Sequence, residues 1–227
     1  MHDITLYGHL TVDKIFDGFE EHQTLGAMAN MWRTFKQIAP KLNVGLCPTS
    51  IGEALIYVDR DSSTRYSNAV LDIKTKSPII KESKMSHALY INKLSDVSWL
   101  PKLPGIISAD VCAGTKVNVD LLQYLDYFFI ADEDAFADIT TMAKLTKGTV
   151  ILHTSKSSVI SDGKIEKKYT LDDSLYVPKS NVLGAGDMFA SSFLYGLNKN
   201  LTMDQIQKFA HETTSSLIKS ANDPKNE

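Results

Sequence analysis

Apolar positions along the chain follow a regular rhythm from residue 87 onward. Short apolar runs at 88–91, 105–109, 127–131 and 150–152 are separated by segments of helical or loop spacing, most clearly at 117–125 and 134–145. Apolar runs without strict alternation suit strands buried on both faces, and their spacing predicts parallel strands joined by crossover helices. Nearer the start, Ile4-Thr5-Leu6-Tyr7 predicts a first strand ending at Gly8, with Asp13 following it. Met28, Trp32, Phe35 and Ala39 fall on one face of a helix that Gly26 precedes and Pro40 stops. Residues 53–59 and 65–73 are β-rich around a polar turn at 60–64, which predicts a hairpin that interrupts the rhythm as a flap. A second hairpin, over 158–171, is marked by Asp162-Gly163. Phe189, Phe193 and Leu197 recur at i, i+4 and i+8 with Leu194 beside them, predicting a helix. The last helix opens at Thr202-Met203-Asp204-Gln205, a capping-box spacing, and runs through Ile206, Phe209, Ala210 and Leu217. Residues 222–227 are expected to fray.

Length and composition narrow the classes. At 227 residues the chain suits one domain over 1–227 with a small β lid at about 53–73. A net charge of -3 offers no electrostatic footprint for nucleic acid or an acidic membrane. No apolar run reaches membrane-spanning length, and Met1-His2-Asp3-Ile4 opens without a basic then apolar leader, so the expected location is cytoplasmic. Cys47 and Cys112 are too few for a disulfide framework and lack zinc-site spacing, and both are expected as small core residues.

The chemistry concentrates in Asn181-Val182-Leu183-Gly184-Ala185-Gly186-Asp187, directly before a predicted helix. Amides at a helix start lack partners and favour an anion, and glycines let that anion approach the main chain. A carboxylate beside a phosphate would repel it, so Asp187 reads better as a base that takes a proton from an attacking hydroxyl. The plainer alternative is that Gly184 and Gly186 shape a turn and Asp187 favours the helix dipole. Four features fall at the carboxyl ends of predicted strands, where open α/β sheets carry their sites. They are Asp13, the trio Asp132-Glu133-Asp134, the polar stretch 154–158 and the glycine turn before Asp187. Hydrolase and dehydrogenase signatures are absent: there is no Gly-x-Ser-x-Gly elbow, nor Gly-x-Gly-x-x-Gly after the first strand.

On these residues the chain resembles the ribokinase-like (PfkB) carbohydrate kinases over nearly its whole length. Gly184-Ala185-Gly186-Asp187, with Phe189-Ala190 after it, matches that family's most specific signature. The Gly8-to-Asp13 spacing is similar to its first substrate-binding segment, and Gly26-Ala27-Met28-Ala29-Asn30 to its glycine-led helix start. The resemblance implies a mostly parallel α/β sheet with helices on both faces, a β-hairpin lid, and ATP- and Mg²⁺-dependent phosphorylation of a sugar or nucleoside hydroxyl. It implies Asp187 as the base, with the amides of Ala185, Gly186 and Asp187 as the anion hole. It further implies Asp13, Gly26 and Asn30 on the substrate, Ser155, Ser158, Gly184 and Gly186 on the nucleotide, and Asp134 on the metal. A homodimer through the lid is implied as well, with Leu55, Tyr57, Ala69 and Leu71 at alternating positions.

The departures from the family's pattern fall on the nucleotide side. Ala131 and Asp134 stand at its Asn-x-x-Glu motif, and 153–158 at its Thr-Leu-Gly-x-x-Gly loop, where serine adds side chains to bare backbone. Asn181-Val182 replaces the Asp-Thr before the signature, and Leu25 the first glycine before Asn30. A strand-helix unit expected between Lys36 and Gly52 is reduced to 39–46. Two hypotheses result: an active small-molecule kinase, or a degenerate relative that binds a sugar or nucleotide in a regulatory or structural role.

Overall fold

The structure, a computed structural model, describes residues 1–59, 61–62, 64–71, 77–112, 116–178 and 180–222. It comprises two compact units, one made of Met1–His9, Lys41–Ser50 and Ile73–Thr170, the other of Leu10–Pro40, Ile51–Asp72 and Leu171–Glu227.

The first unit is built on a sheet. Its strands come from the starts of β1 (His2–Asp17) and β3 (Val44–Asp59), then β5 (Ser83–Ala88), β6 (Ile106–Asp110), β7 (Tyr127–Ala131), β8 (Thr149–His153), β9 (Ser157–Ser161) and β10 (Glu166–Thr170). The spatial order is β10-β9-β8-β7-β6-β5-β1-β3. β1, β5, β6, β7 and β8 run parallel, while β9 and β10 return antiparallel. Phe128, Ile130, Val150, Leu122, Leu100 and Tyr7 form its buried core.

Four expectations for this unit need correction. The run at 88–91 is not a strand; β5 lies earlier, in the polar sequence Ser83-Lys84-Met85-Ser86-His87-Ala88. Burying it is tolerable because most of its polar groups find partners: the Ser86 hydroxyl donates to the Pro104 carbonyl (2.8 Å), and His87 Nδ1 bonds Ser108 (2.9 Å) while its Nε2 lies 3.4 Å from Asp110 Oδ2. Residues 117–125 form only a short 3-10 helix, Val119–Tyr124, capped by Asn118. The helix expected from 134 starts at 139 as α2 (Ile139–Leu145), where the Asp138 carboxylate accepts the Thr141 N–H at 2.9 Å. Gly8 does not end the first strand either. It has φ 146°, and a Cβ there would lie 2.9 Å from the Leu89 carbonyl, so the glycine marks a close backbone approach within β1.

In the second unit the end of β1 pairs antiparallel with β2 (Glu20–Leu25) from Val12 to Asp17. β2 is polar along its length and carries no apolar pattern, which is why the sequence did not announce it. The later part of β3 pairs with β4 (Thr64–Leu71) from Gly52 to Asp59, giving the hairpin around 60–64. Residues 72–73, and the side chains of Ala69 and Leu71, lie outside the described residues.

Helix α1 (Ala27–Ile38) buries Met28, Met31 and Phe35, whereas Trp32 faces outward with Lys36 Nζ over its ring at 5.8 Å. β3 follows α1 after a short loop, with no strand-helix unit between them. α3 (Ala185–Asn198) packs on both α1 and α4 (Met203–Ala221). Gly196 makes that approach close, since a Cβ there would come within 2.9 Å of Ile206. α4 begins with the full capping box between Thr202 and Gln205. Asn222 is not frayed: it caps α4 and bonds Asn181, while 223–227 lie outside the described residues. No described helix is long and apolar enough to cross a membrane.

Candidate active site

The sequence-predicted base and acceptor-side residues all belong to the second unit. Asp13 lies within β1 opposite Thr24 of β2, not in a loop, and is 6% exposed. The Thr11 hydroxyl donates to Asp13 Oδ1 at 2.6 Å. Gly26 follows β2 directly, and its N–H donates to the Thr11 carbonyl at 2.9 Å. A Cβ on Gly26 would sit on the Thr11 hydroxyl and 2.9 Å from Asp13 Oδ1, so α1 can start beside this carboxylate only with glycine at 26.

One turn into α1, the Asn30 N–H donates to the Gly26 carbonyl (3.0 Å) and its carbonyl accepts the Thr34 hydroxyl (2.9 Å). Its side-chain Nδ2 donates to Asp187 Oδ2 at 3.0 Å. Asp187 occupies the first turn of α3 and is 4% exposed. Gly184, just before α3, is left-handed at φ 78°, and a Cβ on it would lie 3.0 Å from Asn30 Nδ2. Glycine at 184 therefore serves both the turn and the room that the Asn30 amide needs.

The turn is held from behind. Asn181 Oδ1 accepts the Leu183 N–H at 2.9 Å, and Asn181 Nδ2 donates to Asp17 Oδ2 at 3.2 Å. Asn222 takes the Asn181 N–H on Oδ1 (2.8 Å) and returns Nδ2 to its carbonyl (3.1 Å). Leu183 packs against the cluster of Ile15, Ala54 and Ile56, so β3 of the hairpin abuts the turn. Sequence reading counted Asn181 as a lost carboxylate and Asn222 as tail. The tendency of Asn to fold back on nearby backbone was the available signal for the first; nothing local signalled the second. Thr11 was missed for the same reason.

Of the three expected anion-hole amides, Ala185 is committed elsewhere, its N–H donating to the Val182 carbonyl at 3.0 Å. A three-residue turn precedes α3 and uses that donor. Gly186, by contrast, is exposed on the first turn.

Of the residues expected on the nucleotide and metal side, Asp134, Ser155 and Ser158 lie in the first unit, whereas Gly184 and Gly186 belong to the second. Asp134 is half-buried in a 3-10 turn, Asp132–Asp134, that follows β7, rather than in the start of a long helix. Ser155 is exposed in a tight turn between β8 and β9. Thr154 closes this turn: its hydroxyl accepts the Lys156 and Ser157 N–H groups (3.1 and 2.9 Å), and its N–H donates to the Ser157 carbonyl (2.8 Å). Ser158 is buried within β9 opposite His153. Burial pushes His153 down to about 4, against the opposing pull of Asp110 and Asp132. Among the described residues no three His, Cys, Asp or Glu side chains converge as a metal site.

Neither protein-family profiles nor curated protein sequences match the chain. Solved structures do. Ribokinase from Thermotoga maritima aligns at a TM-score of 0.73 and 16% identity over 96% of this chain and 93% of that one. A pyrophosphate-dependent kinase in the ribokinase family, solved with a pyrophosphate analog and myo-inositol, aligns at 0.68 and 15% over 95% of each. Adenosine kinase from Sinorhizobium meliloti aligns at 0.68 and 12% over 96% and 94%. Small-molecule kinases of distant sequence thus align over nearly the whole chain, and the chain, with its mostly parallel sheet, has the ribokinase-like fold.

Proposed function

We propose that the chain is an ATP-dependent, Mg²⁺-assisted kinase that phosphorylates a hydroxyl of a sugar, nucleoside or similar small molecule. The observation that carries this reading is the carboxylate of Asp187, buried in the first turn of α3 behind left-handed Gly184 and hydrogen-bonded to Asn30. A carboxylate so placed suits general-base work, since its surroundings fix its direction.

In this reading Asp13, with Gly26 beside it, holds acceptor hydroxyls. The reacting hydroxyl gives its proton to Asp187 while its oxygen forms a bond to the terminal phosphorus of the donor. The bond from that phosphorus to the bridging oxygen breaks, and the diphosphate leaves. The N–H groups of Gly186 and Asp187 stabilise the charge that builds on the phosphoryl oxygens. Ser155 and Ser158 belong to the donor side. Mg²⁺ is commonly held by phosphates, water and one or two carboxylates. Asp134 fits such a donor set as a single protein ligand, and the bound ion would neutralise phosphate charge. The hairpin of β3 and β4 covers the acceptor. Its exposed Leu55 and Tyr57, the latter stacked on Phe16 at 5.1 Å, offer a face to a second copy.

A second reading, a binding protein with little turnover, is favoured by one observation: the serine-rich turn at 154–157 is closed by its own hydrogen bonds where the family's pattern has open glycines. Calorimetric titration of ATP and ADP with Mg²⁺ into wild type and Asp187→Asn, followed by a sugar and nucleoside phosphorylation screen, separates the two. Nucleotide binding by both proteins with turnover only in wild type supports the kinase. Binding of sugar or nucleotide without turnover supports the second reading, and no nucleotide binding at millimolar concentration sinks the first.

A further inference from the structure

Asn30 reads from sequence as a contact to the acceptor, yet its amide nitrogen is engaged with the base. Nδ2 lies 3.0 Å from Asp187 Oδ2. The polarity of this contact is dictated by chemistry: a carboxylate only accepts, so the nitrogen end of the amide must face it. The amide is itself anchored, because the Asn30 backbone is inside α1, bonded to the Gly26 carbonyl and to the Thr34 hydroxyl. A second, independent feature is the space made for it. Gly184 is where a side chain would crowd Asn30, with an added Cβ 3.0 Å from Nδ2 and 3.4 Å from Cγ. Ser191 adds a further tie between the same helices, its hydroxyl lying 3.4 Å from the Met31 carbonyl.

We infer that Asn30 is a positioning residue for Asp187: it clamps one carboxylate oxygen and so fixes the rotation of the base, in addition to bordering the acceptor site. The last torsion of an aspartate is broad and nearly two-fold, so burial alone leaves the carboxylate plane loosely set. Proton abstraction needs that plane aimed, and small misplacements of reacting groups are costly in rate. This inference rests on the kinase reading above.

The test uses steady-state kinetics of the full-length wild type, Asn30→Ala, the isosteric Asn30→Asp, Asp13→Ala and Asp187→Asn, with any acceptor found in the phosphorylation screen. Asn30→Ala is expected to lower kcat by about 10–100-fold while KM moves less than about 3-fold, the pattern of an interaction that matters only in the transition state. Asn30→Asp, which replaces the donor with a like charge, lowers kcat further, whereas Asp13→Ala acts on KM. In an Asp187→Asn background, Asn30→Ala adds no further loss, since the clamped group is gone. Thermal melting of each variant identifies any that fails to fold, and Asn30→Ser replaces Asn30→Ala in that case. A raised KM with kcat preserved, or losses that multiply in the double variant, would overturn the positioning role. A wild type that binds substrates but transfers no phosphoryl group overturns the kinase reading instead, and that outcome is recognised before any variant is compared.

Discussion

The two units hold their chemistry-bearing residues in contrasting ways. In the second unit Asp13, Gly26, Gly184 and Asp187 are buried, and the bond from Asn30 to Asp187 links positions 157 apart in sequence. In the first, Ser155 is exposed at a turn tip, Asp134 is half-buried in a three-residue turn, and the turn at 154–157 is closed by its own hydrogen bonds. The residues that match the kinase pattern are networked, as is Asn181, which departs from it, whereas the departures at Asp134 and 154–157 fall on short local turns. A network of buried polar groups tolerates little change, because each loss leaves a partner unsatisfied. A surface turn that closes on itself can change side chains without cost to the core. On the kinase reading, the buried network around Asp187 is the part least free to change, and the turns proposed for the donor side are the part free to differ.

The largest expected effect breaks this comparison directly. Asp187→Asn should lower turnover by about 10²–10⁴-fold, the range for losing a general base, with the melting temperature little changed. Turnover surviving in this variant would move the base elsewhere. Gly184→Ala comes next. A left-handed conformation costs a residue with a Cβ about 1–2 kcal/mol, and crowding of Asn30 adds to it, so melting by circular dichroism should fall several degrees and turnover should drop with it. An unchanged melt would show that the turn has another conformation available.

Asn222→Ala removes both side-chain bonds to Asn181, which should cost about 1–2 kcal/mol in chemical denaturation. An Asn222→Ala denaturation midpoint equal to wild type would mean the glycine turn is held by Asp17 and Leu183 alone. On the other side of the comparison, Ser155→Gly should change stability by less than about 0.5 kcal/mol, as for most surface sites, while altering nucleotide affinity. Loss of stability instead would place Ser155 in the first unit's framework.

A pH slope is expected as well. His153 is held down to about 4 in the folded chain, below the ordinary imidazole value of 6.5, so on acidification the unfolded chain takes up the proton first. Stability should therefore fall as pH drops from about 6.5 toward 4, and His153→Gln should flatten that part of the melting profile. A profile identical to wild type would assign the slope to other groups. The sign is opposite to that of a histidine with a raised value, which loses stability as pH rises.

The elements most legible in sequence were those whose signals are local. The capping box at Thr202 and Gln205 and the Asp162-Gly163 turn appear where their residues predict them, because each depends on neighbours within a few positions. The glycine turn before Asp187 was legible for the same reason. β5 and β2 were misplaced or missed because they are polar, and a strand can be polar when its partners supply hydrogen bonds from elsewhere in the chain. β1 was cut short at Gly8, since a glycine that permits close approach to Leu89 looks, in sequence, like one that ends a strand.

Sequence by itself determined most of the periodicity of strands and helices, the turn chemistry, and the residue types around Asp187. Tertiary structure alone decided that Asn30 faces Asp187, that Gly26 closes on Asp13, and that Asn222 secures Asn181. The reason is one of range: propensities and caps act over a turn of chain, whereas hydrogen bonds between distant residues exist only once packing has brought their backbones together, and no local pattern encodes that distance.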